Sequence, residues 1–217
     1  MARSSVATDN GALTGGNWTQ LNTDWASVTG GTVFGASAAN SNNEAAAVWS
    51  GSGSFSNDQY AEITIAALSF LSVDYAMGVI VRASTDTNSA RDFYFATVAA
   101  DSSGPDYTTV LGKVVNGTRS VIHSASVAWS NSDLLSLEAV GTSISVFKNG
   151  TALGGSFTAT DSDLSTGKPG ICANGDGASP TGDDWVGGDI TADGITLTGS
   201  SAASATGTAH PIVSITL

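Results

Sequence analysis

The chain has 217 residues, seven Lys and Arg against nineteen Asp and Glu, and a formal net charge of −12. Its few basic residues are scattered, and a nucleic-acid groove or a polybasic membrane patch needs them clustered, so both kinds of partner are excluded. Only 12% of residues are charged while 41% are hydrophobic, and Ser with Thr make up roughly a quarter; this is a core-forming chain whose polarity sits on hydroxyls.

The opening stretch, MARSSVATDNGALTGGNW, has an early Arg but no apolar run of signal-peptide length. The longest apolar stretch, around Ala76–Val81, is too short to span a bilayer. The expectation is a chain without an export signal or a transmembrane segment. Cys172 stands alone, which excludes an internal disulfide, and one Cys with two His leaves too few ligands for a structural zinc site.

In chain order, Tyr60–Ile65 alternates, with Ala61, Ile63 and Ile65 on one face. Met77–Val81 and Phe93–Val98 are more continuously apolar and read as central strands, whereas Leu135–Ala139 and Ser143–Val146 alternate again. Asn116-Gly117 and Asn149-Gly150 each separate two such runs, and Asn-Gly suits the positive φ values of a two-residue hairpin loop. Both are also formal glycosylation sequons, as is Asn17-Trp18-Thr19; the hairpin reading is preferred. No sustained 3.6-residue repeat appears, so no long helix is expected. About a dozen strands at this spacing predict an all-β, two-sheet antiparallel sandwich or jelly roll over residues 1–190. Residues 191–217 are rich in Ser, Thr, Ala and Gly, end on the apolar run Pro211–Leu217, and read as a C-terminal arm or small β extension.

Several segments together resemble the concanavalin A-like lectin/glucanase superfamily in its laminin-G-like branch. They are Asp9-Asn10-Gly11 with Gly16-Asn17-Trp18-Thr19, Gln59–Thr64, Gly78–Ala83, the hairpin Leu135–Gly150, Gly167–Ile171 and Asp183-Asp184-Trp185. The resemblance covers roughly residues 9–190 and implies a fold that hosts lectins, hydrolases and structural modules alike. It also implies a structural Ca²⁺ between the opening and closing strands, which on the matching positions is held by Asp9 and Asp184. Asp176, in a Gly-flanked loop, is a further candidate by composition, although Asp in turns commonly caps its own backbone.

Glycosidases of that superfamily carry paired glutamates on one strand, because acid and nucleophile must flank one bond. Glu44, Glu62 and Glu138 are isolated in this chain, and the adjacent Asp183 and Asp184 are expected on opposite strand faces. The expectation is therefore a protein that is not an enzyme. His123 reads as structural. Trp129, beside a turn, is the candidate for an exposed sugar-stacking platform, and its full burial would remove most of the weight of a sugar-binding module; Trp18, Trp25, Trp49 and Trp185 read as core.

Three functions compete. The favoured one is a structural protein of a phage virion, capsid-decorating or tail-associated. It rests on the absent export signal, the composition and the resemblance of the Ala203-Ser204-Ala205-Thr206-Gly207-Thr208 tail to phage proteins. Its partners would be further copies of the chain (a homo-oligomer) or other virion proteins. The alternative is a carbohydrate-binding module recognising a surface glycan, and the third is a glycoside hydrolase.

Overall fold

The computed structural model describes residues 2–9, 18–21, 25–29, 32–36, 45–51, 53–68, 76–86, 90–99, 107–174 and 181–191. Among them are sixteen strands. These are β1 (Ala2–Asp9), β2 (Trp18–Gln20), β3 (Trp25–Thr29), β4 (Thr32–Ala36), β5 (Ala45–Trp49), β6 (Gln59–Ala67), β7 (Ala76–Ala83) and β8 (Phe93–Ala99). They continue with β9 (Tyr107–Val115), β10 (Thr118–Val127), β11 (Leu134–Val140), β12 (Ser143–Lys148), β13 (Thr151–Ala152), β14 (Thr158–Thr160), β15 (Lys168–Asn174) and β16 (Thr181–Thr191). A short 3-10 turn spans Gly155–Phe157.

The strands form two antiparallel sheets. The first runs β13-β12-β11-β6-β16-β4-β3, with β1 added on β16 and β14 on β12; the second runs β10-β9-β8-β7-β15-β5-β2. Strand alternation decides what lies between them. Ala61, Ile63 and Ile65 of β6 meet Leu135, Leu137 and Ala139 of β11 and Met77, Val79 and Val81 of β7 in one core. Each of these nine is at most 0% exposed, so the alternation read from the sequence has the correct register.

Both Asn-Gly turns close hairpins. Asn116 and Gly117 have φ of 49° and 69° between β9 and β10, and Asn149 and Gly150 have 50° and 74° between β12 and β13. Two positive values in succession are the condition that Asn-Gly meets with least strain.

Two features depart from expectation. The opening strand starts at Ala2, with Ala2 opposite Thr191 and Asp9 opposite Trp185, so the first and last described strands are partners along their length. The outward face of the second sheet is apolar as well. Val48, Ile80, Phe93, Phe95, Val114 and Cys172 form a second cluster there, each 0% exposed. The expected C-terminal arm lies outside the described residues, which end at Thr191.

Placing a carboxylate at Ile63 would bury a charge with no partner. Ile63→Asp is expected to cost several kcal/mol. Thr64→Asp faces outward opposite Asp183 and should cost below about 1 kcal/mol, from a like-charge cross-strand pair. Denaturant unfolding of the two variants checks the register: equal losses would contradict it.

Candidate functional site

At one end of the sandwich five segments meet. They are the approach to β6 (Ser56–Asp58), the end of β7 at Arg82, the β11–β12 turn (Gly141, Thr142), the connection before β15 at Ser165, and the end of β16 (Asp189–Thr191). Together they line an open cleft of about 620 Å³.

Arg82 is the organiser. Its backbone has φ 53°, and the β15–β7 register shifts alongside it between Lys168 and Gly170. The side chain is 2% exposed. Its Nε donates to the Asn57 carbonyl (2.8 Å), one terminal nitrogen to the Leu164 carbonyl (3.0 Å) and the other to the Gly141 carbonyl (2.7 Å). Asp58 Oδ1 lies 3.7 Å from the guanidinium and accepts the Gly141 N–H at 2.7 Å. Burial lowers the Arg82 pKa, while Tyr94 and Asp58 raise it; the group stays charged at neutral pH.

Gln59, 0% exposed, completes the brace. It accepts the Arg82 N–H and donates to the Ser56 and Gly167 carbonyls. Gly167 crosses so close to Arg82 that a Cβ there would lie 2.3 Å from the Arg82 carbonyl carbon, and its φ of 140° is a glycine conformation.

The cleft therefore offers hydrogen-bonding groups on a rigid frame. Asp189 Oδ1 accepts the Ser56 N–H (2.7 Å), and the Ser56 hydroxyl donates to the Asp58 carbonyl (2.7 Å). Hydroxyls of Thr142, Ser165 and Thr191 share the rim with the two carboxylates. Such a set suits a polyhydroxylated ligand, and its carboxylates disfavour an acidic one.

A second polar cluster anchors the segment carrying Ser165. Tyr94 donates its hydroxyl proton to Asp161 (2.5 Å) and accepts the Leu164 N–H (3.1 Å). Lys113 binds both Asp161 and Asp163. Burial pushes the Tyr94 hydroxyl up to about 12, and its hydrogen bond to Asp161 adds to the rise. Burial by itself would raise Asp161, but hydrogen bonds from Lys113 and Tyr94 outweigh it and hold the carboxyl below the usual carboxylate range.

The sequence-predicted site residues fall elsewhere. Trp129 is not an exposed platform: it is 5% exposed and belongs to the core. Its indole N–H donates to Thr109 Oγ1 at 2.8 Å, and Lys148 Nζ lies 5.2 Å from its ring centre. The chain turns back after β10, which folds the ring between the sheets and leaves its N–H a partner there. Trp49 and Trp185 are core residues as expected, and half-buried Trp18 packs on both with ring centres 5.4 and 4.8 Å away. His123 stands edge-on to Phe157 at 4.6 Å.

Strand pairing sets Asp9 opposite Trp185, the residue after Asp184. Asp184 is exposed, has φ 52° at a bulge, and has its N–H bound by Asp183 Oδ1 at 2.8 Å. The bulge breaks the simple alternation expected of Asp183 and Asp184. Asp176 lies outside the described residues. Among the described residues no three His, Cys, Asp or Glu gather as a metal cluster.

One pairing escaped the sequence analysis. Glu62 lies opposite Ser136 and Glu138 opposite Tyr60, which sets the two glutamates diagonally on neighbouring strands. Glu62 accepts a hydrogen bond from the Ser136 hydroxyl (3.0 Å), and neither glutamate lines the cleft.

The Tyr94 value sets a pH dependence. Its folded value lies above the unfolded one, near 10, so the neutral phenol stabilises the fold fully below about pH 10 and that share is lost between pH 10 and about 12. Asp161 runs the other way, contributing above about pH 4 and losing its share as pH falls through its depressed value. The stability gap between wild type and Tyr94→Phe should narrow as pH rises from 10 to 12 in urea unfolding; a constant gap would refute the assignment.

No family model matches the chain, and no curated protein sequence matches it. Solved structures do. The carbohydrate-binding module CBM66 from Bacillus subtilis is 22% identical, with 80% of this chain and 92% of that one covered and a TM-score of 0.52. A Bacillus subtilis protein of unknown function with a galectin-like fold is 9% identical, covering 87% and 98%, with a TM-score of 0.54. The carbohydrate recognition domain of Emp46p in its metal-free form is 12% identical, covering 81% and 89%, at 0.53. These likenesses show the fold alone, a two-sheet antiparallel jelly-roll sandwich.

Proposed function

We propose that this chain is a carbohydrate-binding module without a catalytic role, holding a neutral, polyhydroxylated ligand in the cleft at the Arg82 end. The observation that carries the reading is the cleft itself. Two carboxylates and several hydroxyls stand at fixed positions around a guanidinium that three backbone carbonyls already occupy. Fixed acceptors bind a hydroxylated ring with little ordering cost, which favours recognition over loose adsorption. The named functions of the similar structures support the same class. Burial of Trp129 takes stacking on that ring out of the reading, so hydrogen bonding must supply the specificity.

The catalytic alternative is weaker because both cleft carboxylates serve the frame: Asp58 accepts the Gly141 N–H beside Arg82, and Asp189 accepts the Ser56 N–H. A role in a phage virion, with export-free release and virion partners, rests on composition and tail resemblance, and no feature of the cleft bears on it.

Two measurements test this. A glycan array should give binding to neutral saccharides and none to uronic or sialylated ones, and a cleft-filling Thr142→Trp should weaken the best hit by about tenfold or more with the melting temperature kept. Binding that survives Thr142→Trp unchanged moves the site elsewhere, and an array without any neutral hit ends the proposal. Calcium at Asp9 and Asp184 belongs to the proposal as a stabiliser: a chelator should lower the melting temperature by mass action, and Asp184→Ala should erase the difference. Identical melting curves with and without chelator remove the ion.

A further inference from the structure

The two Asn-Gly turns carry chemistry as well as geometry. Asn116-Gly117-Thr118 and Asn149-Gly150-Thr151 repeat the same residues, and each turn has positive φ at both its Asn and its Gly. In an Asn-Gly pair the glycine nitrogen can attack the side-chain amide carbon of the asparagine, because no Cβ on the glycine crowds the approach. The new N–C bond forms while the bond from that carbon to Nδ2 breaks. The amide nitrogen takes the glycine N–H proton and leaves as ammonia, and the product is a cyclic succinimide. Water then opens either carbonyl of the ring, giving aspartate or isoaspartate. Water is the only co-reactant, and no oxidant or cofactor is needed.

Identical local sequence makes the two turns equals in an unfolded chain, so tertiary contacts decide between them. The Asn149 amide is held at both ends. Its Oδ1 accepts the Leu134 N–H (2.7 Å) and its Nδ2 donates to Asp133 Oδ1 (2.7 Å), partners that also fix which atom is which. Turning this amide toward Gly150 breaks a charge-assisted bond and strands the half-buried Leu134 N–H. Asn116 is exposed, and its side-chain amide has no hydrogen-bond partner among the described residues. Its backbone N–H donates to Asp92 Oδ1 (2.6 Å), and the Gly117 N–H donates to the Arg91 carbonyl (2.9 Å). These bonds hold the turn but leave the reacting carbon free. The Gly117 bond joins neutral groups, and water can replace it when it opens.

We propose that Asn116 is a deamidation site of this chain, and that Asn149 is held inert by Asp133 and the Leu134 N–H. Conversion adds a negative charge at the tip of the β9–β10 hairpin, beside Asp92. Isoaspartate also routes the backbone through the former side chain and lengthens it, which a two-residue turn with fixed φ does not accommodate. The site lies outside the cleft, so the inference stands independently of what the cleft binds.

The test is peptide mapping of the full chain during incubation at mildly alkaline pH, reading the amide-to-acid mass change and isoaspartate at each position. Cleavage after Lys113, Arg119 and Lys148 puts the two turns in separate peptides. In the folded chain Asn116 should convert about tenfold or more faster than Asn149. In guanidinium chloride, with both turns open, the two rates should come together. Asp133→Ala removes the acceptor and should speed Asn149 by about fivefold or more, with Asn116 unchanged. Asp133→Asn loses the same Lys148 ion pair but keeps an oxygen for the Asn149 amide, so Asn149 should stay slow. Circular dichroism confirms that each variant is folded. Equal rates in the folded chain, a faster Asn149, or a gap that persists in denaturant overturns the proposal. Acceleration of Asn149 by Asp133→Asn as large as that by Asp133→Ala overturns the hold through Asp133.

Discussion

Arg82 keeps a charged side chain at 2% exposure, and the cost of removing a guanidinium from water, several kcal/mol, has to be offset by nearly perfect hydrogen bonding. The backbone of three separate segments supplies it: Asn57, Gly141 and Leu164 all turn carbonyls toward this one group. Each of those segments is then unable to move without stranding a buried donor. Gln59 extends the brace to Ser56 and Gly167. Loops that would otherwise differ in position from moment to moment become the walls of a cleft.

The same logic runs on through Leu164, whose carbonyl serves Arg82 and whose N–H serves the Tyr94 hydroxyl. Tyr94, Asp161 and Lys113 thereby join the inner face of the second sheet to the segment that crosses its end. These are partly buried groups of opposite charge with specific partners, the setting in which an ion pair contributes more than the small amount usual at a surface. Elsewhere acidic side chains serve as local caps: Asp133 binds the Ser130 N–H, Asn149 and Lys148 at the ends of β11 and β12.

A jelly roll by itself says nothing about activity, since lectins, hydrolases and structural modules share it. Three of the described cations serve the fold. Arg82, Lys113 and Lys148 are each held in internal interactions.

Local pattern and tertiary pairing divide the determination of this protein between them. Period-two alternation in Tyr60–Ile65 and Leu135–Ala139 was sufficient to say which side chains are buried, because the strand geometry itself sends neighbours to opposite faces. The Asn-Gly turns were legible for an equally local reason, a steric preference for positive φ. Composition alone excluded a basic binding surface. None of that reaches contacts between distant segments. Asp189 meets Ser56 across 133 positions, Arg82 meets Leu164 across 82, and Glu62 nears Glu138 only because β6 and β11 happen to be neighbours. Trp129 looked exposed beside its turn because a sequence shows the turn but not where the ring goes afterwards. The sandwich and its registers were determined by the sequence through short-range sterics and burial. The cleft, the buried guanidinium that shapes it and the burial of Trp129 were decided by tertiary structure, since they depend on which strands end together.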